Sequence, residues 1–387
     1  MKLYLFNPDA DLALADNNEN YMAPASARMM AHDLALLPMW YAQPGSAVLA
    51  PSAYNAGFLK QMQQLFPLEV RLVTEPELHD YAEAEVIPWG WNPVIRKYLL
   101  RGGIAEDKLP APETLNRYRE CASRKQVADV LESFTGYEEC CGESLNLSCL
   151  SDCRTFVEGC ERSVLKAPWS GSGKGLNWCK GHFTPSISGW CERVLREQGL
   201  VAASPVYNKV EDFALEFYSD GCGRLSFVGY SLFSTNSSGA YMGNRLLSAE
   251  EFEKWIIQYI PLLSLKRIRE RLREILVIQS FNYTGYLGVD MMVCKDKDRF
   301  LIHPCVEINL RMNMGVVAHC FCQNFLASDR VGRFMIEYHP STGDLQEKHH
   351  RDMEAAQLVI ENGRLVSGYL PLVPIAPKSR YRAYVKS

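Results

Sequence analysis

The segment Glu307-Ile308-Asn309-Leu310-Arg311 leaves its backbone little choice. Polar and apolar side chains alternate strictly, which is the period of a strand and not of a helix. As a strand it presents Glu307, Asn309 and Arg311 on one face and Val306, Ile308 and Leu310 on the other. A carboxylate, an amide and a guanidinium in one row are costly to bury unless something polar lies over them. The two kinds of oxygen suit a hard divalent cation such as Mg²⁺. The guanidinium suits a phosphate or a developing oxyanion beside it. The solvated outer face of an edge strand would give the same pattern, so the neighbouring segments must decide.

The segment Tyr286–Cys294 is apolar apart from Asp290, and a lone carboxylate in a buried strand needs a partner. The charged turn Lys295–Arg299 leads from it into the strand Phe300–Arg311. A hairpin therefore brings Asp290 beside Glu307 or Asn309, as a magnesium site that also holds phosphates; a structural salt bridge from Asp290 to Arg311 is the plainer alternative. Further upstream, Val164–Ala167 carries Lys166 and runs into Gly171-Ser172-Gly173-Lys174-Gly175. Such a loop can turn backbone N–H groups toward phosphate oxygens. It is not a P-loop, because Pro168 stands where glycine is required and Gly175 where Ser or Thr is required. Leu176–Cys179 reads as a second strand, so the arrangement is a hairpin flap. A plain hairpin turn would look the same in isolation.

Composition bounds the rest. The chain has 387 residues, 47% hydrophobic and 22% charged, with a formal net charge of −4. That is ample for a core of two or three units and excludes a disordered tail or a general nucleic-acid binder. No apolar run approaches the ~20 residues that span a bilayer. The start, Met1 to Asp9, turns polar too soon for a signal peptide, so the cytoplasm is the expected compartment. The thirteen cysteines include no CxxC pair, and His319-Cys320-Phe321-Cys322 and His303-Pro304-Cys305 are off zinc-site spacing. They read as free thiols.

Strands at Lys2–Phe6, Ser46–Ala50, Val70–Val73 and Glu85–Pro88 alternate with helices at Ala25–Leu37 and Tyr54–Leu65. That order predicts a parallel sheet covered by helices over about residues 1–110. GxGxxG is absent after the first strand, against a dinucleotide fold. Pro110-Ala111-Pro112 breaks the pattern and leads into a predicted helix over Leu115–Ser133. Strands joined by turns follow at Val164–Ala167, Gly175–Cys179, Gly199–Tyr207, Phe213–Tyr218 and Arg224–Phe233. Ser248-Ala249-Glu250-Glu251 is a capping box, and Leu265, Ile268, Leu272, Ile275 and Leu276 mark one face of a later helix. The last ~50 residues show short strands and no recognisable site.

Taken in order, these pieces resemble the ATP-grasp superfamily from about residue 110 to 325. They are Lys125 ahead of the flap, Lys166 before Gly171–Gly175, a hinge near Ser204–Tyr207, the strand with Asp290, and Glu307-Ile308-Asn309-Leu310-Arg311. The resemblance implies an α/β (α+β) chain: an N-terminal open α/β domain at 1–110, a lid subdomain at 111–205 and a large subdomain at 206–387. It implies that Lys125 and Lys166 hold phosphates, that Gly171, Ser172, Gly173, Lys174 and Gly175 close over them, and that backbone groups of Ser204–Tyr207 meet adenine. Asp212, or failing it Glu211, would take the ribose. Asp290, Glu307 and Asn309 would bind Mg²⁺, as two ions, and Arg311 and Lys166 would be catalytic. The sequence departs from the family at the hinge, where Ala203-Ser204-Pro205 stands in place of a glutamate.

The implied reaction uses ATP to turn a substrate carboxylate into an acyl phosphate, which an amine or thiol then attacks, releasing ADP and phosphate. A phosphotransferase acting on a hydroxyl and a non-catalytic nucleotide-binding module are the other classes. The partners implied are a small-molecule acid and amine, with no nucleic acid or membrane, and a homodimer is compatible with the reading. Asn7-Pro8-Asp9-Ala10-Asp11, Pro88-Trp89-Gly90-Trp91-Asn92 and the loop Ser234–Asn244, with Asn236, Tyr241 and Asn244, are candidate substrate loops or ordinary turns.

Overall fold

The computed structural model describes residues 1–171, 175–236, 239–279 and 282–387. Four strands, β1 (Lys2–Leu5), β2 (Ser46–Leu49), β3 (Val70–Val73) and β4 (Glu85–Pro88), form a parallel sheet in the order β3-β2-β1-β4. The helices α1 (Ala10–Asp16), α2 (Ala25–Asp33), α3 (Asn55–Leu65) and α4 (Pro93–Arg101) belong to the same stretch. Strand period two splits β1 between two cores. Leu3 and Leu5 pack with Val73, Val86, Ile95 and Leu99, while Tyr4 and Phe6 join Trp40, Phe321, Phe325 and Leu372. Trp40 is fully buried, donates to the Leu372 carbonyl at 2.7 Å and meets Phe66, Phe321 and Phe325 edge-on. One continuous core therefore ties the parallel sheet to the C-terminal half of the chain.

The expected helix at Leu115–Ser133 is two helices, α5 (Pro112–Cys121) and α6 (Gln126–Glu132). The break lies where Arg124 turns inward: its backbone N–H donates to the Pro168 carbonyl at 3.0 Å, and its side chain is buried. Then come β5 (Leu145–Leu147), α7 (Leu150–Gly159), β6 (Ser163–Lys166), β7 (Leu176–Cys179), α8 (Pro185–Gln198) and β8 (Val201–Pro205). The four strands make an antiparallel sheet in the order β5-β8-β6-β7, with α7 and α8 sharing a core with it through Cys153, Val157, Cys191 and Val194. A strand-and-turn reading omits these two helices, although α8 carries start and stop signals. Thr184 accepts from the Ile187 N–H at 3.3 Å, Pro185 opens the helix, and Gly199 closes it at φ 83°.

The third sheet has eight strands. They are β9 (Lys209–Asp220), β10 (Leu225–Thr235), β11 (Tyr241–Leu246), β12 (Thr284–Asp296), β13 (Arg299–Asn309), β14 (Gly332–Tyr338), β17 (Tyr369–Pro371) and β18 (Tyr381–Lys386), ordered β13-β12-β9-β10-β11-β14-β18-β17. Between them run α9 (Ala249–Ile256), α10 (Leu262–Gln279), α11 (Met314–Phe325), α12 (Asp344–Ala355) and the hairpin β15 (Val359–Glu361)–β16 (Arg364–Ser367). The capping box at Ser248 and Glu251 forms as expected, and α10 buries Leu265, Ile268, Leu272 and Leu276. That helix covers the sheet face carrying Phe213, Leu215, Phe217, Leu287, Val289 and Met291. No helix of the described residues is long and apolar enough to cross a membrane.

Candidate active site

Strand register builds the other face of the large sheet. Asp290 pairs with Glu307 on one side and Ala214 on the other, Gly288 pairs with Asn309 and Glu216, and Met292 pairs with Asp212 and His303. Directly paired residues share a face, so Asp212, Glu216, Asp290, Glu307 and Asn309 lie together on the face opposite α10. Two carboxylates, Asp290 and Glu307, stand side by side. Burial pushes the Asp290 carboxyl up to about 7, Glu307 adds to the shift, and a hydrogen bond with Asn309 opposes it. Among the described residues no three His, Cys, Asp or Glu side chains converge on one point. The set available to a cation is thus Asp290 and Glu307 with the Asn309 amide oxygen. Their oxygens, with the Asp290 charge unpaired and the Glu307 charge shared with Arg124, fit a magnesium ion that keeps several waters.

The lid sheet supplies the cations. Lys166 ends β6, only 9% exposed, with Arg124, Glu307 and Cys305 as its charged or titratable surroundings. Burial, and then the Arg124 charge, bring its ammonium down to about 8, while Glu307 opposes the shift. Lys166 forms no ion pair among the described residues. Arg124 does: it donates to Glu307 at 2.7 Å, to the Ala167 carbonyl at 2.7 Å, and to the Ser170 hydroxyl and carbonyl at 2.6 and 3.2 Å. Its planar fork locks the base of the flap to β13.

Lys125, the phosphate-binding candidate, is exposed, and the buried place is held by its neighbour Arg124. Adjacent residues at a helix start point about 100° apart, so only one of the pair can face inward. The flap begins as expected from a hairpin: Lys166 pairs with Leu176, and the Ala167 N–H donates to the Gly175 carbonyl at 2.8 Å. A side chain at Gly175 would meet the Ser170 hydroxyl at 2.2 Å, so only glycine fits between the two arms. Ser172, Gly173 and Lys174 lie outside the described residues, as do Ser237 and Ser238 of the Ser234–Asn244 loop.

At the hinge, Tyr207 stands edge-on to His303 at 5.3 Å. His303 is buried, and burial followed by the Lys166 charge holds its imidazole down at about 3, hence neutral. Asp212 is held by Lys209 and by the Thr235 hydroxyl at 2.7 Å, at the same end of the sheet as Tyr207, while Glu211 lies on the opposite face of β9.

Beyond Asn309 the chain leaves the strand, and Arg311 is positioned by the N-terminal domain. It donates to Asp11 at 2.7, 2.9 and 3.0 Å and to the Asn309 side-chain oxygen at 2.8 Å. The Met312 N–H donates to the Trp89 carbonyl at 2.9 Å, and Asn7 donates to the Gly90 carbonyl at 2.8 Å. Two of the three candidate substrate loops therefore dock against Arg311. In the third, Asn244 is buried and donates to Ser231 at 2.6 Å, and Tyr241 donates to it. Past the carboxylate pair lies Glu216, 1% exposed, bonded by Asn313 at 2.8 Å. Burial pushes its carboxyl up to about 8, against the Asn313 bond. Side chains at Gly288 or Gly315 would overlap it, at 2.5 and 2.2 Å. Sequence reasoning missed Arg124, Asp11 as a partner of Arg311, and Glu216. The only signal for Glu216 is one carboxylate in the apolar run Phe213–Phe217, the same signal that singles out Asp290.

No protein-family model matches the chain, and no curated protein matches it in sequence. Solved structures do match in shape. A biotin carboxylase from Campylobacter jejuni, described as its βγ-ATP complex, is 12% identical, with a TM-score of 0.51 over 100% of this chain and 86% of that one. A carboxyaminoimidazole ribonucleotide synthase from Aspergillus clavatus complexed with ATP is 10% identical, with a TM-score of 0.49 over 90% and 94%. An L-amino acid ligase from Bacillus licheniformis is 11% identical, with a TM-score of 0.47 over 89% and 94%. The first of these carries the assignment, and at such identity the likeness is one of fold. With a helix-flanked parallel sheet, a four-stranded lid and a large antiparallel sheet, the chain has the ATP-grasp fold.

Proposed function

We propose that the chain is an ATP- and Mg²⁺-dependent ligase that activates a substrate carboxylate as an acyl phosphate for attack by an amine or thiol, releasing ADP and phosphate. One observation carries the reading: a buried lysine without a carboxylate partner among the described residues, Lys166, faces the strand pair that carries the half-buried carboxylates Asp290 and Glu307. An unpaired ammonium requires an anion, and Asp290, beside a Glu307 whose one cationic partner is Arg124, requires a cation of its own. A nucleotide phosphate chain with Mg²⁺ satisfies both at once. The ATP complex of the biotin carboxylase is consistent with this, on fold alone.

In this reading Lys166 and the Gly171–Gly175 flap hold the phosphates. Asp290, Glu307 and Asn309 hold two Mg²⁺ ions, which would neutralise charge on the transferring group. Tyr207 and Asp212 receive the adenosine end, and Arg311 steadies the charge that develops during transfer. No side-chain nucleophile is needed, because the carboxylate oxygen attacks phosphorus and the amine later displaces phosphate. In the same reading residues 1–110 present substrate loops and 111–205 close over 206–387.

The test is a screen of carboxylate–amine pairs for ADP and phosphate release, with hydroxylamine added to trap an acyl phosphate as a hydroxamate. Hydroxamate that requires acid, ATP and Mg²⁺ together supports the ligase. AMP and pyrophosphate would overturn it in favour of adenylation, and a stable phosphoester in favour of a kinase.

A further inference from the structure

We infer that Asp11, which lies in the N-terminal domain and outside the grasp, is the positioning residue that sets the plane of Arg311 and leaves it one N–H for the reacting group. The inference rests on the ligase reading of the site. A guanidinium has five N–H donors in one rigid plane. Here the Nε–H goes to Asp11 at 2.9 and 3.0 Å, the two hydrogens of one terminal nitrogen go to Asp11 at 2.7 Å and Asn309 at 2.8 Å, and one hydrogen of the other goes to the Met312 carbonyl at 3.2 Å. Four are committed, and the fifth has no acceptor among the described residues, which leaves it for a phosphoryl or acyl oxygen.

The carboxylate that fixes this geometry is itself held rigidly. Asp11 sits in the first turn of α1, whose Ala10, Ala13 and Leu14 are buried. The Leu14 carbonyl accepts from Arg119 of α5 at 2.6 Å, which pins the helix to the lid side. A side chain at Gly90 would lie 2.6 Å from Ala10 and 3.3 Å from the Arg311 Cβ, so the two loops of the N-terminal domain close on the arginine from both sides. A side chain at Gly171, at the start of the flap, would come 3.0 Å from an Asp11 oxygen. One carboxylate thus holds the arginine and lies close beside the base of the flap, and its bond to Arg311 spans 300 positions of sequence. A bidentate pair of this kind fixes orientation as well as position. Asp11 also offsets the arginine's charge, so what it contributes is aim: the single free N–H has value only where the plane is held.

The test compares Asp11→Asn, Asp11→Glu and, as a control, Asp16→Asn, an exposed carboxylate on the same helix. Arginine Nε–H resonances report the hold on Arg311 directly, with its signal assigned by loss in Arg311→Lys. In the wild type that proton should exchange slowly, and in Asp11→Asn at least about tenfold faster, because an amide cannot accept from both edges of the fork. Turnover with the acid and hydroxylamine should fall about 100-fold in kcat in Asp11→Asn, while calorimetric ATP affinity stays within about twofold. Asp11→Glu should recover part of the kcat, and Asp16→Asn should match the wild type. An Asp11→Asn kcat within twofold of wild type, or an equal loss of ATP affinity, would overturn the positioning role. Hydroxamate absent even in the wild type would sink the ligase reading instead, and the Nε–H exchange would still decide whether Asp11 holds Arg311.

Discussion

The large sheet carries two charge clusters, each built around buried cations and half-buried carboxylates, and they are finished to different degrees. At the β18 end, Arg382 is fully buried and meets both Glu337 and Asp352, at 2.8 and 2.7 Å. Lys348 joins Glu337 at 3.0 Å, Lys386 joins Asp352 at 2.7 Å, and Tyr384 donates to Glu337 at 2.8 Å. Burial alone would raise the Glu337 carboxyl, but the bonds from Lys348, Tyr384 and Arg382 outweigh it and hold the group at about 2. At the β13 end, Asp290 is held up at about 7 by burial and Glu307, and Lys166 is held down at about 8 by burial and Arg124. The same chemistry on one sheet gives carboxylates displaced in opposite directions. A cluster that closes on itself holds the fold together; one in which Arg124 closes on Glu307 but Lys166 and Asp290 stay without ion-pair partners among the described residues is shaped for something that brings charge of its own.

That contrast can be broken by mutation. The largest effect should come from Asp290→Asn, which removes half of the carboxylate pair. Turnover should fall by about 10³-fold or more, while the thermal midpoint holds or rises because a costly buried acid has gone. Loss of folding in this variant, seen by circular dichroism, would mean that the pair is structural and that the two clusters do not differ in kind.

Arg382→Met should do the reverse. Two half-buried carboxylates would be left with only Lys348 and Lys386 beside them, lowering stability by up to about 3 kcal/mol in urea unfolding. Nucleotide affinity of the folded fraction should be unchanged. A nearly neutral variant would show that Lys348 and Lys386 suffice to neutralise the cluster.

Lys166→Met should weaken ATP binding about 10–100-fold, the worth of one or two charge-assisted contacts, with little change in melting. Unchanged affinity by calorimetry would remove the phosphate role and leave the unpaired lysine unexplained.

The smallest effect concerns Glu216. Its folded-state carboxyl is raised from 4.5 to about 8, first by burial. Between those values the folded chain keeps a proton that the unfolded chain has released, so stability falls as pH rises through the window and the loss is complete above about 8. Glu216→Gln mimics the protonated form. It should melt like the wild type near pH 4.5 and several degrees higher at pH 9. A difference independent of pH would show that the carboxyl is not titrating in the fold.

Strand period and punctuation made much of this chain readable. Alternation put Glu307 and Asn309 on one face, the isolated carboxylate marked Asp290, and the turn at Lys295–Arg299 paired their strands. The α/β texture of the first ~110 residues and the capping box of α9 are likewise local properties, written in spacing and side-chain type. The choice between Arg124 and Lys125 was not local, because both are cations and only the break between α5 and α6 decides which one turns inward. The Asp11–Arg311 contact joins residues 300 positions apart, and no pattern within either segment specifies it. The same holds for Glu216, whose room is made by Gly288 and Gly315 on other elements. Periodicity determines which face of an element a residue occupies. Which face meets which is settled by packing the elements together, above all by the core around Trp40 that fixes the parallel sheet against the large one.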